Sequence, residues 1–164
     1  MVPGRCGARV RRVRWRAGSL RGVSMTLYLV KVPPDLAARV AAEPDLLNQV
    51  WREDDVVDQQ VAALREDDTL MEDYLDLGRM VNEQPGHYPW LEKALHGTGT
   101  EIAFEFGYGA GFVIAPQEAA GIAAGLAEDA GWRPGDEVVT IADAIAAFYL
   151  SAAENGRVVI GGVG

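Results

Sequence analysis

The stretch Gly107–Glu118, with the sequence GYGAGFVIAPQE, decides the fold of this chain. Its glycines predict a tight turn, and Phe112–Ile114 has the character of a short apolar strand. Pro116 then opens a helix, because proline is favoured in the first helical turn. A phosphate-binding loop would carry Lys-Ser or Lys-Thr and run directly into its helix. The stretch therefore predicts a turn, a strand and a helix rather than a nucleotide site.

Short strands separated by helices recur along the chain. Leu27–Val32 is rich in β-branched and aromatic residues, which is typical of a strand. Thr140 and Asn155-Gly156 bracket a helix whose apolar face includes Ile145 and Phe148, both expected to be buried. We predict an α+β fold in a single domain, a small sheet of about four short strands covered by helices. The expected strands are 26–32, 101–106, 112–114 and 157–161, and the helices packed against them are 116–130 and 140–155.

The charge is divided between a basic head and an acidic body. Residues 1–24 contain seven arginines and no acidic residue, so the other 140 residues hold eight of the 15 basic and all 24 acidic residues. The net charge of this body is −16. The head lacks the apolar run of a signal peptide. We expect Met25 to be the natural start of the protein and the domain to span residues 25–164. The head, residues 1–24, is then expected to be disordered or to be untranslated sequence misread as protein. An arm that binds nucleic acid is the alternative for the head.

The apolar and cysteine content exclude several classes of protein. No apolar stretch approaches the roughly 18 residues of a membrane span, which predicts no membrane association and a cytoplasmic location. Cys6 is the only cysteine, so the chain has neither an internal disulfide nor a cysteine-based zinc site.

The segment 53–76 carries ten acidic residues. Apolar residues recur between them at helical intervals, which predicts amphipathic helices with solvated acidic faces. An acidic face attracts a basic protein and repels nucleic acid, and aromatic residues beside turns are typical anchors of interfaces. Core packing of the same aromatic residues is the alternative. The residues predicted to bind a basic protein partner are Tyr88, Trp90, His96, Tyr108, Asp54, Asp55, Asp67 and Asp68.

His87 and His96 are the only histidines and the candidates for general acid–base chemistry. They are nine residues apart, which differs from the i, i+4 spacing of a zinc-binding helix. Ser151, the only serine after residue 24, falls inside a predicted helix without the glycines of a nucleophile elbow. The glutamates nearest to the histidines are Glu92, Glu101 and Glu105, of which the last two share one face of a predicted strand that we expect to be solvated.

Three segments of the chain resemble the YfbM-like family, a bacterial domain of unknown function. They correspond to its opening strand and short helix, its Leu-Asp stretch with a tryptophan helix and Thr-Gly turn, and its Tyr-Gly turn with a Pro-Glu helix start. The family's arginine in the third segment falls at Phe112 and its capping threonine at Ala115. The resemblance implies a small α+β domain without a known activity. The matching residues are Pro34-Asp35-Leu36, Leu75-Asp76-Leu77, Trp90-Leu91, Leu95-His96-Gly97-Thr98, Tyr108-Gly109 and Pro116-Gln117-Glu118.

These observations favour a protein-binding module for a basic protein partner. We expect no cofactor, no metal ion and no nucleic acid as ligand. The alternative is a hydrolase-type enzyme that uses His87 or His96 with the nearby glutamates.

Overall fold

The computed structural model describes residues 24–51, 57–128 and 136–164, whose strands form one antiparallel sheet. The strands are β1 (Thr26–Val32), β2 (Thr69–Asp73), β3 (Glu101–Glu105), β4 (Ala110–Ile114) and β5 (Val158–Val163), in the order β2-β1-β5-β4-β3. The described helices are α1 (Pro34–Ala42), α2 (Asn48–Trp51), α3 (Gln59–Ala62), α4 (Leu75–Glu83), α5 (Pro89–His96), α6 (Pro116–Glu128) and α7 (Asp136–Glu154), with 3₁₀ turns at Pro44–Leu47 and Glu66–Asp68. The predicted α+β class and single domain are confirmed, while the predictions for the head and for Asp54 and Asp55 lie outside the described residues.

The alternation of side chains along β1 divides the core into two halves. Leu27 and Leu29 pack with α4, α5, α6 and α7, whereas Val30 and Val32 pack with α1, α3 and the first 3₁₀ turn. Successive side chains of a strand point to opposite faces of the sheet, so both faces carry helices, although one face of the edge strand β3 stays exposed. Ile145 and Phe148 of α7 are buried in the first half, as predicted.

The glycine turn connects β3 to β4 as the sequence predicts. Gly107 and Gly109 have φ angles of 106° and 137°, which residues other than glycine rarely adopt. The Phe106 backbone N–H donates to the Gly109 carbonyl at 3.1 Å, which closes the turn. The helix α6 begins at Pro116, and Glu118 Oε2 accepts the Ala115 backbone N–H at 2.8 Å. A carboxylate therefore satisfies the N–H group at the entry of the helix, where Ala115 has no capping hydroxyl.

The structure corrects two predicted elements. Thr69–Asp73 forms the edge strand β2 rather than part of an amphipathic helix, so the sheet has five strands instead of about four. Its backbone pairs with β1 from Thr26↔Asp73 to Val30↔Thr69, and this long-range pairing outweighs the low β-propensity of aspartate and glutamate. Thr140 lies inside α7, which begins at Asp136, and therefore does not cap the helix. The predicted stop is correct, since Gly156 follows the helix with a φ of 58°.

Candidate functional site

His96 and Tyr108, two of the residues predicted to bind a partner, line one cleft of about 210 Å³ with Tyr74. The cleft lies beside Met25 and Val163, where β1 begins and β5 ends. Tyr108 projects from the glycine turn and is 53% exposed. The glycines around it supply the turn, so its exposure follows from the backbone that precedes β4.

The imidazole of His96 is held by Tyr74. The Tyr74 hydroxyl and His96 Nε2 are 2.5 Å apart. Desolvation lowers the pKa of His96, and the nearby Glu92 carboxylate opposes that shift. Burial likewise raises the pKa of the Tyr74 hydroxyl. Both shifts favour the neutral forms, and the hydrogen bond between the two side chains joins the end of α5 to the start of α4.

Neither histidine forms an acid–base pair with a carboxylate in the described chain. His87 packs its ring edge-to-face on Tyr88, with centroids 4.7 Å apart, and is exposed. Glu101 and Glu105 lie with Ala103 on the exposed face of β3, as predicted. The described residues also contain no group of three or more histidine, cysteine, aspartate or glutamate side chains that could hold a metal ion.

Tyr88 and Trp90 are partly buried against the core at the start of α5. Trp90 packs on Gly125 of α6, where any side chain would clash with its ring. Lys93 Nζ lies 4.4 Å from the centroid of the Trp90 ring. The structure therefore uses Trp90 mainly to join α5 to α6, and the side chain is only partly buried.

Asp67 and Asp68 lie at the other end of the sheet from His96 and Tyr108. They line a cavity of about 400 Å³, which we call the Lys31 cavity, between the end of β1, the end of α7 and the start of β2. The strand β1 separates this cavity from the Tyr108 cleft by about 20 Å, the length of a seven-residue strand. The predicted acidic and aromatic residues in the described chain are thus not one continuous surface. The residues that line the Lys31 cavity are Lys31, Pro33, Gln60, Ala63, Leu64, Arg65, Asp67, Asp68, Ser151, Asn155 and Arg157.

A second feature that the sequence analysis missed is an apolar groove between α6 and α7. It encloses about 340 Å³ and is lined only by alanines and Leu150, which is 51% exposed. The signal in the sequence was the alanine spacing, because residues three and four apart share one face of a helix. We call this surface the alanine groove, formed by Ala120, Ala123, Ala124, Ala127, Ala146, Ala147, Leu150 and Ala153.

These features define a class of protein, an α+β domain whose open antiparallel sheet carries helices on both faces. No protein-family model and no curated protein matches the chain. The fold is similar to a crystal structure of YfbM from Escherichia coli, a protein of unknown function. The similarity covers 83% of this chain and 98% of that chain, with a TM-score of 0.54 and 12% sequence identity. It shows a YfbM-like fold, whereas membership of the family stays a prediction.

None of the described helices combines the length and the hydrophobicity that a membrane span requires.

Proposed function

We propose that this domain is a protein-binding module and that the alanine groove is its contact surface. The observation that carries the proposal is the exposed apolar face of α6 and α7. Ala120, Ala124, Ala127, Ala147 and Leu150 are all exposed on it. Contiguous apolar surface of this kind marks interaction sites on proteins that are otherwise polar outside. Small side chains also allow the backbone of a partner helix to approach closely, as in helix-in-groove recognition.

The acidic side chains that lie next to the alanine groove favour a basic partner. Glu128 follows Ala124 by four residues along α6, while Asp143 and Glu154 extend the face of Ala147 and Leu150 along α7. All three acidic residues are exposed. A second copy of this chain would bring like charges together around the groove, which disfavours self-association. An amphipathic helix with an apolar stripe and Lys or Arg at its flanks matches both the groove and its rim.

The remaining acidic residues contribute to attraction at a distance. A body with a net charge of −16 steers a basic protein toward it, and Asp67 and Asp68 are part of that field without lining the groove. A partner of this kind is consistent with the predicted cytoplasmic location. The alternative of a hydrolase has less support, because neither histidine of the described chain has a carboxylate partner to orient it.

Affinity capture from the native cell with matched variants tests the proposal. Ala124→Glu puts one negative charge into the groove, and Ala103→Glu puts the same charge on the exposed face of β3 as a control. We expect the groove variant to lose the captured protein and the Ala103→Glu variant to retain it. Asp67→Asn with Asp68→Asn should only slow association and weaken its dependence on salt. Capture that survives in the groove variant contradicts the assignment of this surface.

A further inference from the structure

Lys31 is the one charged side chain recorded as buried in the described chain, with 6% of its surface exposed. It lies on the same side of β1 as Leu27 and Leu29, the side that faces α4, α5, α6 and α7. An apolar residue would be expected at this position. Its Nζ donates to Ser151 Oγ at 2.7 Å and lies 5.3 Å from the centroid of the Phe148 ring. A buried ammonium normally has a carboxylate partner. Within the described residues, no carboxylate lies within ion-pair distance of this one.

The Lys31 cavity also collects cationic side chains from a protein that has few of them. Six of the lysines and arginines belong to the described residues, and three of these, Lys31, Arg65 and Arg157, line the cavity. The other three have partners elsewhere. Arg39 pairs with Asp58, Arg79 pairs with Asp76, and Lys93 lies on Trp90. Half of the described cations therefore surround one cavity in an acidic body.

The polar groups around the cavity divide into those that are engaged and those that remain able to donate. Gln60 donates from Nε2 to Asp35 at 2.8 Å and accepts from Arg39 at 2.6 Å, while Asn155 donates to the Ser151 carbonyl at 2.8 Å. Asp68 Oδ2 accepts the Arg65 backbone N–H at 2.8 Å. The Ser151 oxygen accepts from Lys31, which leaves its own proton free to be donated to a ligand.

Three cations and two carboxylates, those of Asp67 and Asp68, line the cavity, so its lining has a net charge of +1. Carboxylates and phosphates are the groups that lysine, arginine and hydroxyl donors bind with charge-assisted hydrogen bonds. The volume of about 400 Å³ lies within the range of small-molecule sites. We propose that the Lys31 cavity binds a small molecule through an oxyanion group, a carboxylate or a phosphate, held by Lys31, Arg157 and the Ser151 hydroxyl.

The two lysines of the chain, Lys31 and Lys93, make a direct test practical. Lysine labelled with ¹³C at Cε gives one signal from the cavity and one from the exposed Lys93, which serves as an internal control. Sodium phosphate and sodium citrate are added in separate titrations, with sodium chloride at matched ionic strength as the reference. We expect the Lys31 signal to shift and saturate with at least one oxyanion, while the Lys93 signal follows ionic strength alone. Saturation with phosphate identifies a phosphate ligand, and saturation with citrate alone identifies a carboxylate ligand.

Two variants distinguish specific anion binding in the Lys31 cavity from nonspecific attraction of anions by positive charge. Arg157→Gln should raise the dissociation constant about tenfold or more, as expected for loss of a charge-assisted hydrogen bond. Arg79→Gln removes the same charge outside the cavity and should leave it unchanged. If Lys31 shows no saturable shift with either oxyanion, or if the Arg79→Gln and Arg157→Gln variants weaken binding equally, the proposal is wrong.

Discussion

Replacing Lys31 by methionine together with Ser151 by alanine should stabilise the protein in the absence of an oxyanion. An uncompensated buried charge costs about 3–5 kcal/mol, and the low end applies here because Lys31 lines a cavity large enough for water. The hydrogen bond of Lys31 to Ser151 and its contact with the Phe148 ring offset about 2 kcal/mol of this cost in total. The double variant removes both partners, so no unpaired group is left behind. We therefore expect a net gain of about 1 kcal/mol in the free energy of unfolding.

Urea denaturation of the wild type, both single variants and the double variant measures this balance. Ser151→Ala alone should destabilise the protein by about 1–3 kcal/mol, because it leaves the ammonium without its acceptor. Phosphate at about 100 times its dissociation constant should add about 2.7 kcal/mol to the free energy of unfolding of the wild type only. The wild type should then be more stable than the double variant. The slope of the transition should stay constant across the series. A double variant that is less stable than the wild type by more than about 1 kcal/mol, without added anion, would refute the reasoning.

Two further predictions concern α7 and α5. Phe148→Ala should lower the free energy of unfolding by about 3–5 kcal/mol, because Phe148 is 6% exposed and its removal leaves a cavity in the core; a loss below about 1 kcal/mol in urea would show that this face of α7 is wrongly assigned. Desolvation lowers the pKa of His96 in the folded state below the ordinary histidine pKa of 6.5. As the pH falls below 6.5, the unfolded state therefore binds the proton before the folded state does. The stability that neutral His96 contributes is complete above that pH and is lost below it. His96→Gln should make stability less dependent on pH between about 7 and 5.5, and equal pH dependence in both proteins would contradict the assignment.

Local patterns in the sequence were sufficient for the elements that carry their own signals. The β-branched and aromatic residues of Leu27–Val32, Pro116 at the start of α6 and Gly156 after α7 each act through a few neighbouring residues. The edge strand β2 was missed because Thr69–Asp73 has acidic residues at positions that also fit a helix. Only the pairing with β1, more than 35 residues away in the chain, makes it a strand.

The Lys31 cavity was missed for a related reason. Its walls come from β1, α7 and the segment 60–68, which are adjacent only in the folded chain. The available signal was the lysine itself, since Lys31 interrupts an apolar strand at a position that faces the core. The two histidines make separate contacts in the described chain, because the end of α5 places His96 against Tyr74 while His87, in the turn before α5, packs on Tyr88.

Site-specific photo-cross-linking in the native cell tests the central claim most directly, because it reports contact rather than loss of binding. A photoreactive residue at Ala124 or Ala147 lies in the alanine groove, whereas the same residue at Ala103 lies on the exposed face of β3. We expect both groove positions to form an adduct with one basic protein and position 103 to form none. Adducts from position 103 at equal yield, or none from either groove position, would contradict the claim that this groove is a protein-binding surface.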